Sequence, residues 1–299
     1  MAALVNPEIT WDPHAQVRHV SRAEVERCLG PTIEAFHVLS GGLANANVRI
    51  GDKVLRLYRR DALSLGIEKT LLQRPWHSLV VPTFLNSGQD FLLMSFEPHG
   101  PIEDGPEHGA ALGAALAEIH ATNFKTSGLL DGSLQVKNPF PDFIASMREY
   151  IAVCLDSPQW KASAGMGRRM LEFYDSRAGL LREVQSPAVL LHADFKASNL
   201  HWSPRGLPLI LDWEFAYAGP ALMDLGQLFR WDTTPEFRES FGKSYRSAGG
   251  RLPQGWPDLA ATLDLINLTG LITNMPESST RERQDVMRRI NQTIGGTKP

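Results

Sequence analysis

The chain has 299 residues and a mass of 33.1 kDa, and its 43% hydrophobic content can bury one large core or two ordinary ones. Lysine plus arginine number 30 against 33 acidic residues, a formal charge of -3 with no basic run, which argues against a nucleic-acid or membrane partner and for a small one. The two cysteines, Cys28 and Cys154, lie outside any C-x-x-C and cannot frame a disulfide scaffold in a chain this long, so a reducing cytoplasm fits best.

The N-terminus lacks a basic segment and meets Pro7 and Glu8 before an apolar run forms, so no secretion signal is read. Ser21-Arg-Ala-Glu24 has the spacing of a capping box and predicts a short helix ending at Gly30. Ile33–Leu39, Asn47–Ile50 and Lys53–Tyr58 are β-branched or alternating and separated by turn residues, which predicts an antiparallel meander. A helix over Leu65–Trp76 follows, and then strands over Val80–Phe84 and Phe91–Phe96, giving five strands with one helix inserted after the third. Glu97-Pro-His-Gly-Pro101 reads as a hinge. Beyond it, helical periodicity dominates at His108–Ala121, Pro141–Leu155, Met166–Arg182 and from Ala221 onward. Two apolar strands, Ala188–Leu191 and Leu207–Leu211, interrupt it. The most apolar helical stretches are broken by Glu118 and Asp264, short of the ~18 uninterrupted apolar residues of a membrane span.

The chemistry is concentrated in His192-Ala-Asp194-Phe-Lys-Ala-Ser-Asn199, which fits the phosphoryl-transfer pattern His-x-Asp-x-x-x-x-Asn at every specified position. Composition alone would produce such a match about 0.02 times in a chain like this one. Leu209-Ile-Leu211 then ends in Asp212-Trp-Glu214, one hairpin after Asn199, where protein kinases carry Asp-Phe-Gly. The residue types suit the reaction. Asp194 can orient an acceptor hydroxyl and take its proton, while the Asn199 amide oxygen and the Asp212 carboxylate are hard ligands for Mg²⁺. His192 is read as structural, with Asp224 as its partner or as a support for the loop.

These motifs resemble those of the aminoglycoside phosphotransferase and choline kinase-like family, relatives of the protein kinases that phosphorylate small molecules. The likeness extends to Gly219-Pro220 with Asp224-Leu225 and to Leu116-Ala-Glu-Ile-His120. It departs at Ala193, where the family usually has glycine, and in the shortening of Gly-Asp-Pro to Gly219-Pro220. The resemblance implies an α+β, protein-kinase-like two-lobed fold, with residues 1–96 as the nucleotide lobe and 97–299 as the helical lobe. It implies ATP or GTP with Mg²⁺, a small-molecule hydroxyl acceptor such as an antibiotic, sugar or amino alcohol, and a monomer or homodimer.

Within that frame the weaker N-terminal signals acquire candidate roles. Ser40-Gly41-Gly42 and Asn45, in a small-residue loop between two strands, would let backbone N–H groups approach phosphates. Arg56, in the strand where kinases keep a phosphate-pairing lysine, would bind phosphate with Glu68 as its carboxylate partner, and Lys53 is the alternative cation. Met94 and Phe96, at the end of the sheet, would meet the base. Glu103, Asp104 and Glu107 could attract a cationic acceptor. Two rival functions fit the sequence less well: an inactive nucleotide-binding regulatory module, which would be expected to lose Asp194, Asn199 or Asp212, and a protein kinase, for which Gly-x-Gly-x-x-Gly, Ala-Pro-Glu and activation-loop length are missing.

Overall fold

A computed structural model of the chain describes residue 4 and residues 19–31, 35–39, 45–59, 62–276 and 278–296. The first helix, α1 (Arg22–Leu29), starts at the expected capping box, in which Ser21 and Glu24 exchange side-chain and backbone hydrogen bonds. Strands β1 (Phe36–Leu39), β2 (Ala46–Ile50) and β3 (Lys53–Leu57) precede α2 (Ala62–Gln73), and β4 (Phe84–Ser87) and β5 (Phe91–Ser95) complete an antiparallel sheet ordered β1-β2-β3-β5-β4. Alternation along the strands divides its faces. Val48, Ile50, Leu55, Leu57 and Phe91 pack with Val25 of α1 into a small cluster of their own. Leu92 and Met94 belong to the large central core.

The strand expected at Val80–Phe84 lies further on. Pro82 has no N–H to give a ladder, and regular pairing begins only at Phe84. Val80 instead forms a single parallel bridge to Leu209, donating to the Pro208 carbonyl at 2.8 Å and accepting from Ile210 N–H at 3.0 Å.

After the connection come β6 (Gly100–Pro101), α3 (Pro106–His120), β7 (Asn123–Phe124), β8 (Ser127–Leu130), β9 (Val136–Phe140), α4 (Phe143–Leu155) and α5 (Ala164–Val184). Strands β10 (Ala188–Leu191), β11 (Leu200–Trp202), β12 (Pro208–Ile210) and β13 (Tyr217–Pro220) follow. The chain ends in α6 (Leu222–Leu228), α7 (Pro235–Ser247), α8 (Trp256–Asn274) and α9 (Thr280–Gly295). The helices fall where periodicity places them. The strands exceed the two expected, forming one sheet ordered β7-β10-β13-β8-β9 and another ordered β12-β11-β6. Segments of two to five residues, several carrying Gly or Pro, are too short to show a period of two.

Two contacts fix the helical region. Gly109 and Gly113, one turn apart on α3, let α7 lie directly against it. A Cβ at either position would come within 2.5 Å and 2.4 Å of the Phe237 and Phe241 carbonyl oxygens. Behind α6, Arg230 and Asp264 of α8 form a two-pronged buried ion pair, both N···O distances 2.8 Å. Removing one partner strands the other charge, so Asp264→Ala is expected to lower unfolding free energy by about 3–5 kcal/mol, measurable by urea denaturation. No helix among the described residues is long and apolar enough to cross a membrane.

Candidate active site

The loop from β10 into β11 carries His192, Asp194 and Asn199, and α6 holds it from below. Asp224, fully buried, accepts the backbone N–H groups of His192 and Ala193 at 2.8 Å each. Its carboxylate also lies 3.2 Å from His120 Nε2, and His120 Nδ1 is 2.7 Å from the Tyr245 hydroxyl. One turn along α6, Gln227 accepts Phe195 N–H at 2.8 Å and donates to the Ala193 carbonyl at 2.7 Å. These bonds hold Ala193 at φ 64°, a left-handed conformation that costs a non-glycine residue about 1–2 kcal/mol. Here is the physical reason for a glycine between His and Asp, and Ala193→Gly is expected to raise the melting temperature.

Asp224 is thus both a partner of His192, at its backbone N–H, and a support for the loop. The His192 ring has other partners: Nε2 lies 2.9 Å from the Leu211 carbonyl and must therefore donate, and Nδ1 accepts Asp194 N–H at 3.2 Å. With both nitrogens engaged and the ring buried, His192 orients the loop and is not free to act as a base.

Asp194 is half-buried, and both of its oxygens are held. Oδ2 accepts from Asn199 Nδ2 at 2.7 Å, and Oδ1 lies 3.1 Å from Lys196 Nζ. Asn199 Nδ2 also donates to the Asp194 carbonyl at 2.9 Å, which turns its Oδ1 the other way. Leu211 N–H donates to the Asn199 carbonyl at 3.0 Å, so the next residue, Asp212, stands beside Asn199 at the end of the β11–β12 hairpin. Asp212 has φ 68°, a second strained residue at the same place.

Opposite the loop, Arg56 is buried and gathers three carboxylates. It donates to Asp212, lies 3.3 Å from Glu68 and 3.3 Å from Glu214. Lys53, by contrast, is exposed. Tyr58 donates to Glu68, and Asn45 donates to Glu214 while accepting Arg59 N–H at 3.1 Å. One guanidinium cannot neutralise three carboxylates. Burial opposes the charge on Arg56 but the surrounding carboxylates keep it protonated, and burial against the pull of Arg56 raises Glu68. Asp212 resists its burial because Arg56 holds it below the usual carboxylate range.

Glu214 carries the excess: burial, with Asp212 and Glu68 nearby, outweighs Arg56 and pushes its carboxyl up to about 7. Between its ordinary 4.5 and about 7 the folded chain binds the proton that the unfolded chain has lost, so this group's contribution to stability falls as pH rises through that window. Glu214→Gln is therefore expected to gain melting temperature over the parent at pH 8 and to lose that advantage at pH 5, read by thermal melts at both values.

The remaining expected residues take these places. Met94 is buried opposite Val54 in the sheet. Phe96 donates its N–H to the Asp52 carbonyl at 2.7 Å and carries the Arg49 guanidinium 3.6 Å over its ring. Ser40, Gly41 and Gly42 lie outside the described residues.

Residues 35–261 match the sequence profile of the Phosphotransferase enzyme family, about three-quarters of the chain. The chain belongs to that family. No curated protein matches the sequence significantly. Among solved structures, this phosphotransferase is similar to a choline/ethanolamine kinase family protein from Mesorhizobium loti, at 19% identity and TM-score 0.66 over 91% of each chain. It is also similar to ADP-bound aminoglycoside phosphotransferase APH(2'')-Ib, at 16% identity and TM-score 0.61, over 91% of this chain and 97% of that one. An ethanolamine kinase from Plasmodium vivax, at 14% identity and TM-score 0.62, is covered over 83% of its length by 92% of this chain. The fold is thus the expected protein-kinase-like α+β fold, and the family makes the protein an enzyme, a small-molecule kinase with an alcohol group as acceptor.

Two further residues of this phosphotransferase, Lys196 and Gln227, hold the loop. Lys196 was legible only as a variable position of the loop motif. Gln227 had a signal, its spacing of three from Asp224, which puts both on one helix face. The donor set suits a nucleotide–metal complex. Arg56 Nε is buried with no hydrogen-bond partner among the described residues, an unmet donor on the one guanidinium that faces Asp212. The Asn199 amide oxygen and the Asp212 carboxylate are hard oxygen donors of the kind Mg²⁺ prefers, too few to cage it alone, and no cluster of three or more metal-binding side chains occurs among the described residues. Such a pair suits a metal whose other ligands come from phosphates and water.

Proposed function

We propose that this phosphotransferase moves the γ-phosphoryl group of ATP or GTP to a hydroxyl of a free sugar, amino alcohol or antibiotic. The nucleotide would lie between residues 1–96 and residues 97–299. The observation that carries the reading is the Asp194 carboxylate, braced on Oδ2 by Asn199 and on Oδ1 by Lys196, on the loop that faces Asp212. A carboxylate oxygen has two lone pairs, so each retains one for a substrate hydroxyl while the brace prevents rotation. Asp194 would accept that hydroxyl's hydrogen bond, aim its oxygen at the phosphorus and take the proton as the new O–P bond forms and the bond from Pγ to the bridging oxygen breaks, ADP or GDP departing with that oxygen. Lys196, beside it, would offset charge on the transferring group.

Asn199 and Asp212 would hold Mg²⁺, which when bound neutralises phosphate oxygens. Arg56, steadied by Glu68, would take a phosphate oxygen on its fork. Asn45, with the backbone of Ser40, Gly41 and Gly42, would cover the phosphates, and Met94 and Phe96 would meet the base. Neighbours named as choline/ethanolamine and aminoglycoside kinases support a small acceptor. The chain from Asp212 to α6 is also too short to form a platform for a peptide. In a coupled assay of ADP release with Mg·ATP, small hydroxyl compounds are expected to stimulate turnover and peptides are not. Stimulation by peptides alone would contradict the proposal.

A further inference from the structure

Helix α2 carries Glu68, the carboxylate that steadies Arg56, and the β8–β9 hairpin reaches back across the sequence to meet it. Gly66 and Thr70, one turn apart on α2, both face the tip of that hairpin, where the Thr70 hydroxyl donates to the Gly132 carbonyl at 2.5 Å. A Cβ at Gly66 would stand 3.0 Å from Gly132 Cα, and one at Gly132 would stand 3.2 Å from Gly66 Cα. The two backbones touch. A glycine inside a helix is destabilising relative to alanine, and what Gly66 permits is this approach.

The hairpin tip is held firmly in place. Asp131 Oδ1 accepts the Ser133 N–H at 2.9 Å, the Ser133 hydroxyl at 2.7 Å and the Gln135 N–H at 3.0 Å, and the Asp131 carbonyl accepts the Leu134 N–H at 2.9 Å. Leu134 sits at φ 57°, in the left-handed region, with its side chain packed against the central core. Such strain persists only where the surroundings impose it.

Glu68 lies two residues from Gly66 and two from Thr70, about 200° round the helix from each. On that far side it meets Arg56 at 3.3 Å, the Tyr58 hydroxyl and the Trp213 backbone N–H. Helix α2 is therefore held between the hairpin on one face and the arginine cluster on the other. Carbon atoms need about 3.5–4.0 Å between them, so a side chain added at the glycine contact must displace either the hairpin or Glu68.

We infer that Gly66, Thr70 and Gly132 are positioning residues, which set through Glu68 where the Arg56 guanidinium stands for a nucleotide phosphate. The inference rests on the reading that Arg56 meets that phosphate. Calorimetry of Mg·ATP binding tests it without an acceptor. Thr70→Val, which keeps the volume and loses the hydroxyl, and Gly132→Val, at the hairpin tip, are each expected to raise Kd about five- to tenfold, and Thr70→Ser to keep the parent's value. In a Glu68→Gln background Thr70→Val should add less than about twofold, because its route to Arg56 is already cut. A contact that merely braced the fold would lower the melting temperature in both backgrounds and leave Kd unmoved. Thr70→Val is near-isosteric and decides the question where Gly132→Val does not fold. An unchanged Kd in folded Thr70→Val, or the same rise with and without Glu68, would overturn the inference. The phosphate reading has its own control in Arg56→Gln: weaker Mg·ATP binding there leaves that reading standing whatever the hairpin does, and the parent's Kd there would overturn the reading and this inference with it.

Discussion

Asp194→Asn is expected to lower kcat by about 10²–10⁴-fold, the range for loss of a positioned general base, while the affinity for Mg·ATP changes little. The asymmetry follows from the geometry. Asn keeps one acceptor oxygen, for Lys196 or for Asn199 but not both, and Asn199 Nδ2 still donates to the backbone carbonyl of residue 194, so the loop retains its shape. It cannot accept a proton. The structural frame below, Asp224 on the His192 and Ala193 amides and Gln227 on Phe195, does not involve the substituted group. Steady-state kinetics with the true acceptor, paired with calorimetry of nucleotide binding, separate the two effects. Near-normal turnover would remove Asp194 from the role of base.

Asp212→Ala is expected to act on the other substrate, weakening Mg·ATP binding at least about a hundredfold, ~2.7 kcal/mol, and erasing the gain in nucleotide affinity that Mg²⁺ confers. Asn199 offers a neutral amide oxygen and cannot replace a charged ligand. The variant should still fold, because Arg56 keeps Glu68 and Glu214 and one of three mutually repelling carboxylates is gone. Calorimetry with ATP in the presence and absence of Mg²⁺ checks both parts. A variant with the parent's metal-dependent affinity would place the metal elsewhere.

The contrast between these variants rests on residues that the sequence made legible to different degrees. Asp194, Asn199 and Asp212 stand out because phosphoryl transfer demands particular atoms at fixed spacing along one loop and one hairpin, and the chain supplies them in order. The five-strand sheet with its inserted helix was legible from alternation and turn residues, since each strand buries one face. What stayed hidden depends on contacts between distant segments. Lys53 and Arg56 are three residues apart, and only the packing of α2 against the sheet decides that Arg56 is the one enclosed by Glu68, Asp212 and Glu214. The close approach of α7 to Gly109 and Gly113 has no local signature, and β6, β7 and β11 are too short for a period. Asp104 looked like a binding group on charge alone; its engagement with Thr234 spans 130 positions of sequence.

Phosphoryl transfer at Asp194 is tested most directly by ³¹P NMR of the reaction with a ¹³C-labelled acceptor, followed from Mg·ATP to products. The γ-phosphate signal of ATP is expected to give way to a phosphomonoester coupled to an acceptor carbon, at a rate that collapses in Asp194→Asn. Conversion of the γ-phosphate to orthophosphate alone, at the same rate in the parent and in Asp194→Asn, would contradict it.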